Sequence, residues 1–272
     1  MMLCQNLPKE DLKFFNQAVG KNWIASIKYD GVRCQLHFID GKLKLINRSG
    51  RNITHQYPEL HSFDPGIDVV LDGELCVFKG EVSAFNEGIA FRSHCQSQDA
   101  ISSSMQGNPV TYVAFDILRL RNDDLRGKPW HFRHKALELL FEAFKGDPVL
   151  KIEEFSRDIY ALWDKACQRG EEGIILKEVN SLYLEGKRSS LWRKVKDLKE
   201  VDIRISSYGV NPAGIRVESD EGIAIQVSGF NAPPVKSIMD RDGEAIITVR
   251  HLGVTASGKL RQPTYMKLVE KM

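Results

Sequence analysis

The sequence predicts an α+β fold in two domains, residues 1–198 and 199–272. The first is built from antiparallel sheets with flanking helices, the second is a small β-barrel. Three observations predict it. Residues 23–51 read as three short strands broken at Asp30-Gly31 and Asp40-Gly41, dipeptides with hairpin chemistry because glycine accepts the positive φ of a tight turn. Two stretches, 132–145 and 157–169, carry apolar residues at helical spacing. The composition changes near Asp197-Leu198-Lys199, and five strand-like segments follow.

Length and composition bound the function. A chain of 272 residues can bury a sizeable core, and 42% hydrophobic with 27% charged residues is ordinary for a soluble globular protein. No run is long or apolar enough to span a bilayer. The N-terminal stretch lacks the basic start and apolar core of a signal peptide, so the expected location is cytoplasmic, with no membrane partner. The five cysteines are scattered and form no Cys-x-x-Cys pair, which argues against a disulfide framework or a zinc site. Net charge is only +2, so any nucleic-acid binding must come from local patches such as Lys187, Arg188, Arg193, Lys196 and Lys199.

In chain order, Leu7 to Gly20 predicts a short helix. Pro8 suits its first turn, Leu12, Phe15 and Val19 form its stripe, and Gly20 caps it. In the strand that follows, Ile24, Ser26 and Lys28 alternate with Ala25, Ile27 and Tyr29. Lys28 therefore points away from the Ile27 face; a lysine so placed is ordinarily solvated. Asn47 to Arg51 is a polar loop holding Arg48 and Arg51. Ile67 to Phe78 is an apolar strand interrupted by Asp72 and Glu74. Buried carboxylates are costly unless basic groups or a cation meet them, which marks this strand as functional.

Ser93 to Asn108 is polar and lacks a clear period, so it reads as a surface loop. Val110 to Leu120 is an apolar strand in which Phe115 could simply be core. The helix over 132–145 is stopped by Gly146; the one over 157–169 has Ser156 as N-cap and Gly170 beyond its end. Ile174 to Lys177 and Leu191 to Lys196 are strands, which puts Lys194 and Lys196 on one face. The later strand segments are 201–208, 213–219, 222–228, 244–251 and 263–269, with a short helix from Pro233 between the third and fourth. Five strands with a helix there match an OB-type barrel, an architecture that commonly binds nucleic acids or oligosaccharides.

Five short motifs occur in order: Lys28-Tyr-Asp30-Gly31-Val-Arg33, Leu71-Asp-Gly-Glu74-Leu, Tyr112-Val-Ala-Phe115-Asp, Glu172-Gly-Ile-Ile-Leu-Lys177 and Trp192-Arg-Lys194-Val-Lys196. Each alone is weak. Together they resemble the covalent nucleotidyltransferases, and among them the ATP-dependent DNA ligases, over most of the chain. The resemblance implies an adenylation domain followed by an OB domain, in a monomer that acts on ATP and nicked duplex DNA with Mg²⁺, for which Mn²⁺ would substitute.

It also implies roles. Lys28 attacks the α-phosphate of ATP to give lysyl-AMP; AMP then passes to the 5′-phosphate at a nick, and the 3′-hydroxyl seals the strand. Free lysine has a pKa near about 10.4, so neighbouring cations or desolvation must activate it. Lys177, Lys194 and Lys196 would neutralise the triphosphate, Lys194 and Lys196 as catalytic groups. Glu172 would bind the metal and Glu74 would sit near the ribose or the metal. Arg33 would meet the nucleotide or nick, and Phe115 would stack on adenine. Arg48 lies in a loop similar to one that grips the nick. Arg261 and Lys267 match basic positions of the closing motif.

Two positions depart from the pattern. Ser26 stands where many relatives carry an acidic residue that reads the adenine amino group. Lys267 stands where many carry arginine, keeping the charge but losing the bidentate fork. The competing readings are an RNA ligase or capping-type enzyme, and a non-catalytic OB-containing nucleic-acid-binding protein with a degenerate transferase domain. The closing motif argues against the first; the intact Lys28, Glu74, Glu172, Lys194 and Lys196 set argues against the second, because binding alone needs no nucleophile.

Overall fold

The computed structural model describes residues 1–18, 22–84, 88–145, 147–255 and 258–269. Val19, Gly20 and Gly146, expected in a helix stripe and at helix ends, lie outside them. The chain divides into two compact units, Met1–Lys196 and Asp197–Met272.

The first unit opens with β1 (Leu3–Asn6), α1 (Leu12–Ala18), β2 (Trp23–Ile27), β3 (Val32–Ile39), β4 (Lys42–Asn47), β5 (Val69–Lys79) and β6 (Val82–Ser83). Then come α2 (Ala90–His94), α3 (Gln98–Gly107), β7 (Val110–Leu120), β8 (Asp123–Asp124), α4 (Trp130–Phe141), β9 (Leu150–Ile152) and β10 (Phe155–Ser156). It ends with α5 (Ile159–Arg169), β11 (Gly173–Glu178) and β12 (Arg188–Lys196). These strands make two mainly antiparallel sheets. One runs β1-β12-β11-β2-β10; the other runs β4-β3-β5-β7-β8, with β6 on β5 and β9 on β7.

Alternation along the strands decides what each sheet covers. Ala25 and Ile27 of β2, Ile174 and Leu176 of β11 and Val195 of β12 pack under Leu162 and Ala166 of α5. Leu71 and Leu75 of β5 and Tyr112 and Ala114 of β7 join Leu137 and Phe141 of α4. A third cluster takes Ile24 from β2, Trp192 from β12, Leu118 from β7 and Trp130 from α4, and so ties the two sheets together. Burying a large apolar side chain contributes about 1.5–3 kcal/mol.

The two Asp-Gly turns differ. Asp40 and Gly41 both have positive φ, 50° and 68°, and close a two-residue hairpin in which Ile39 pairs with Lys42. Asp30-Gly31 is not a hairpin: β2 and β3 belong to different sheets. Gly31 is needed for space, because a Cβ there would lie 2.4 Å from the Leu75 carbonyl oxygen and 2.7 Å from Glu74 Cγ. The Lys28–Arg33 motif thus crosses between the sheets and grazes β5.

The expected surface loop at 93–108 is mostly helical. Ser97 caps α3 by accepting from the Ala100 amide, and Ile101 and Ser104 are buried. The fully buried Arg92 donates to Ser104 Oγ, the Ile101 and Gln56 carbonyls and the Glu59 carboxylate. A polar anchor holds this helix, so no apolar stripe announced it. At α5 the N-cap is Asp158, whose carboxylate accepts from Ala161, rather than Ser156, which lies in β10; Gly170 does end the helix, in the left-handed region.

The second unit contains β13 (Lys199–Ile205), β14 (Ser207–Asn211), β15 (Gly214–Glu218), β16 (Ala224–Ser228), α6 (Ala232–Asp242), β17 (Ala245–His251) and β18 (Thr264–Val269). The segment expected over 201–208 is two strands, because the chain changes sheets at Ser206. β13 pairs with β17, whereas β14 pairs with β15. The result is two three-stranded sheets, β13-β17-β18 and β14-β15-β16, around a core that includes Ile215, Val217, Val235, Met239, Ile247 and Val249. Among the described residues no pairing closes them into the expected barrel.

Candidate active site

Three chain segments converge on Glu172. The Lys28 amide donates to the Gly173 carbonyl at 2.9 Å, so the end of β2 lies against the start of β11. Across the next ladder Gly173 pairs with Lys196 at the end of β12. Gly173 has φ 140°, and a Cβ there would lie 2.1 Å from the Val195 carbonyl oxygen, so only glycine allows this approach. Glu172 is buried, with one carboxylate oxygen bonded to Lys28 Nζ and the other to Lys196 Nζ at 2.6 Å. Burial pushes this carboxyl up, but Lys28 and Lys196 outweigh it and hold it below its ordinary range.

Beside these residues is a cavity of about 200 Å³ whose lining includes Lys28, Arg33, Arg48, Glu74, Phe115, Glu153, Lys177, Trp192 and Lys194. Its walls come from both sheets of the first unit. Phe115 on β7 faces Trp192 on β12 edge-on, with centroids 6.4 Å apart. Lys177 Nζ lies 5.1 Å from the Phe115 centroid and 4.8 Å from Trp192. The Arg33 guanidinium lies 5.2 Å from the Phe115 centroid. Lys194 is half-buried, and burial together with Lys196 and Lys28 lowers its pKa.

The two carboxylates of β5 have different fates. Asp72 is fully buried and meets Arg33, with Nη2 to Oδ2 at 2.7 Å, and the Tyr183 hydroxyl. Glu74 has no hydrogen bond or ion pair among the described residues, and burial pushes its carboxyl up to about 7 against the pull of Lys28 and Arg33. The basic partner predicted for this strand thus serves Asp72. Among the described residues no three metal-ligating side chains stand together. Glu172 and Glu74 still fit a Mg²⁺ site, since that ion takes one or two carboxylates and completes its shell with phosphate oxygens and water.

Ser26 is fully buried on β2, opposite Ile175 of β11, and does not line the cavity. Arg261 and Lys267 belong to the second unit. Arg261 is half-buried, its backbone bonded to Leu252 and Gly253; Lys267 is exposed on β18 opposite Thr248. The basic patch is not uniform: Arg188 lines the cavity and donates to the Cys4 carbonyl, Arg193 lies over Phe15, and Lys196 is tied to Glu172. Sequence reading missed Glu153. Its two oxygens hold the buried Lys177 Nζ at 2.5 and 2.6 Å, and burial raises its pKa against the pull of Lys177. It sits between two short strands in no recognisable motif; only an acidic pair, Glu153-Glu154, marks the spot.

The family model described as ATP dependent DNA ligase domain matches residues 1–196. The chain belongs to this family. Over 209 residues it is 30% identical to the bifunctional non-homologous end joining protein LigD of Bacillus subtilis, a match covering 71% of this chain and 34% of that protein. Over 211 residues it is 29% identical to a DNA ligase of Saccharolobus islandicus, covering 72% and 33%. It thus spans about a third of the length of these relatives. The SPbeta prophage-derived DNA ligase-like protein LigB of Bacillus subtilis is 25% identical over 258 residues, covering 90% of this chain and 92% of that protein.

The fold of a ligase domain is shared with solved structures. The ligase domain of Mycobacterium tuberculosis LigD superposes with a TM-score of 0.62 at 24% identity, covering 98% of this chain and 94% of that one. A Lig E DNA ligase superposes at 0.69 with 18% identity, covering 99% and 98%.

Proposed function

We propose that this chain is an ATP-dependent DNA ligase, sealing 5′-phosphate/3′-hydroxyl nicks in duplex DNA through lysyl-AMP and then an adenylated DNA end. The observation that carries the reading is the convergence of Lys28, Glu172 and Lys196 beside a cavity that also presents Arg33, Phe115, Lys177 and Lys194. A binding module has no use for a lysine held at the junction of two sheets among cations.

The chemistry follows from these contacts. Lys28 must leave Glu172 and lose a proton. Its nitrogen then forms a bond to the α-phosphorus of ATP, the bond to the β-phosphate bridging oxygen breaks, and pyrophosphate departs. Lys194, Lys196 and Arg33 offset the charge of the phosphates, while Phe115 offers a face for the adenine and Lys177, enclosed by Phe115, Trp130 and Trp192, stays with Glu153 on the base side. Glu172 and Glu74 would hold Mg²⁺, which when bound neutralises charge on the phosphate oxygens. The first unit serves as the adenylation domain. The second, by its strands and the helix α6, serves as an OB-type module toward nucleic acid. The protein acts as a monomer.

The test is covalent labelling. Incubated with Mg²⁺ and ATP labelled at the α-phosphate, the protein should acquire label, and a folded Lys28→Ala variant should acquire none. The labelled protein should then seal a nicked DNA duplex. Normal labelling of Lys28→Ala would place the nucleophile elsewhere, and preference for RNA ends would favour an RNA ligase.

A further inference from the structure

The adenine-reading acid that the family pattern leads one to expect is absent: position 26 is serine, buried and off the cavity lining. A carboxylate is nevertheless present at the cavity. Glu153 arrives from the segment between β9 and β10, and that segment is fixed by backbone bonds. The Glu153 amide donates to the Ala114 carbonyl at 2.9 Å, next to Phe115. The Ile27 amide donates to the Glu154 carbonyl at 3.1 Å, and the Glu154 amide to the Tyr29 hydroxyl at 3.0 Å. Glu153 is therefore anchored to the two strands that carry the stacking ring and the nucleophile.

Its partner is Lys177, 1% exposed and surrounded by the rings of Phe115, Trp192 and Trp130. A buried ion pair is weak evidence for stability, since well-packed apolar residues would often do as well. A pair placed in the wall of a cavity beside an aromatic face has another use. It sets a hydrogen-bond acceptor next to a donor. Adenine presents the complement: an amino donor at position 6 beside the acceptor N1. Guanine presents the reverse, an acceptor O6 beside an N–H, and would set its oxygen against the carboxylate.

We propose that Glu153, held by Lys177, reads the exocyclic amino group of adenine and sets the preference for ATP over GTP. The proposal rests on the nucleotide-transfer reading above and deepens it. A charge-assisted contact to a buried carboxylate discriminates strongly, because a ligand lacking the amino group forfeits that contact while Glu153 stays desolvated beside Lys177.

The experiment compares ATP, GTP and the triphosphate of purine riboside, which lacks the amino group, each labelled at the α-phosphate. The readout is kcat/KM for covalent labelling. Wild type should favour ATP over the amino-less analogue by about a hundredfold or more. In Glu153→Gln that penalty should shrink to about tenfold or less, and the preference over GTP should fall with it. Glu153→Asp keeps a charge for Lys177 but withdraws it by one methylene; it should show an intermediate penalty and guards against a Gln variant that fails to fold. A purely structural role would depress labelling by all three nucleotides alike and leave the ratios unchanged, which would overturn the proposal. Equal use of ATP and the amino-less analogue by wild type would overturn it too. Failure of wild type to label with ATP would instead sink the ligase reading itself.

Discussion

Lys196 Nζ lies 2.6 Å from Glu172 Oε1, and the other oxygen of the same carboxylate holds Lys28. One buried anion thus organises two of the cations that the ligase reading assigns to nucleotide transfer. An amine bonded to a carboxylate cannot attack, so on the ligase reading Glu172 first parks Lys28 and must then turn to the metal. Glu172→Gln keeps the shape and removes the charge. Labelling of Lys28 by ATP should fall by about a hundredfold or more, the scale on which removal of one electrostatic contact acts. Raising Mg²⁺ should restore it only in part. Wild-type rates at limiting Mg²⁺ would remove Glu172 from the metal site.

A second pair carries structure rather than chemistry. Asp116 and Arg133 are both fully buried and bonded twice, at 2.7 and 2.8 Å, joining β7 to α4. Removing one partner strands the other charge. Arg133→Met should lower stability by about 3–5 kcal/mol. Combining it with Asp116→Asn removes both charges and should recover part of that loss, giving a coupling of at least about 1 kcal/mol. Urea unfolding of the two single variants and the double variant measures it; simple additivity would show that the pair is not coupled.

Much of this fold is legible in the sequence where local chemistry and tertiary role agree. Asp40-Gly41 is a hairpin because nothing competes with its turn preference, and Lys194 and Lys196 share a face because strand alternation is rigid. Asp30-Gly31 misleads, since its glycine answers to β5 packed against it rather than to a turn. α3 is hidden because its anchor is a buried arginine from another helix. The switch of sheets at Ser206 falls inside one continuous strand-like run, where alternation alone does not mark it. The same division holds at the site. Lys28, Phe115, Glu172 and Lys177 sit in motifs, whereas Glu153 is brought in by pairing between distant segments that no local pattern encodes.

The last prediction concerns acid stability. His134 on α4 stacks on Trp130, with ring centroids 4.6 Å apart, and meets Phe155 edge-on at 4.5 Å. Neither ring nitrogen has a hydrogen-bond partner among the described residues, and Glu138 Oε1 stands 3.7 Å from Nε2. Burial, then the charges of Lys177 and Lys135, push its pKa down to about 3. In the unfolded chain the value is about 6.5. Between these values the unfolded state binds the extra proton, so the contribution to stability is complete above about pH 6.5. It is lost progressively as the pH falls toward 3. By pH 5 the loss amounts to about 2 kcal/mol. His134→Phe keeps an aromatic ring on Trp130 and cannot titrate. Urea unfolding of both proteins at pH 7.5 and pH 5 should therefore show wild type losing about 2 kcal/mol more than the variant. Carboxylates and the other histidines titrate in both proteins and cancel in the comparison. Equal losses would mean that the imidazole takes up its proton inside the folded protein as readily as outside it, with Glu138 as the receiving charge.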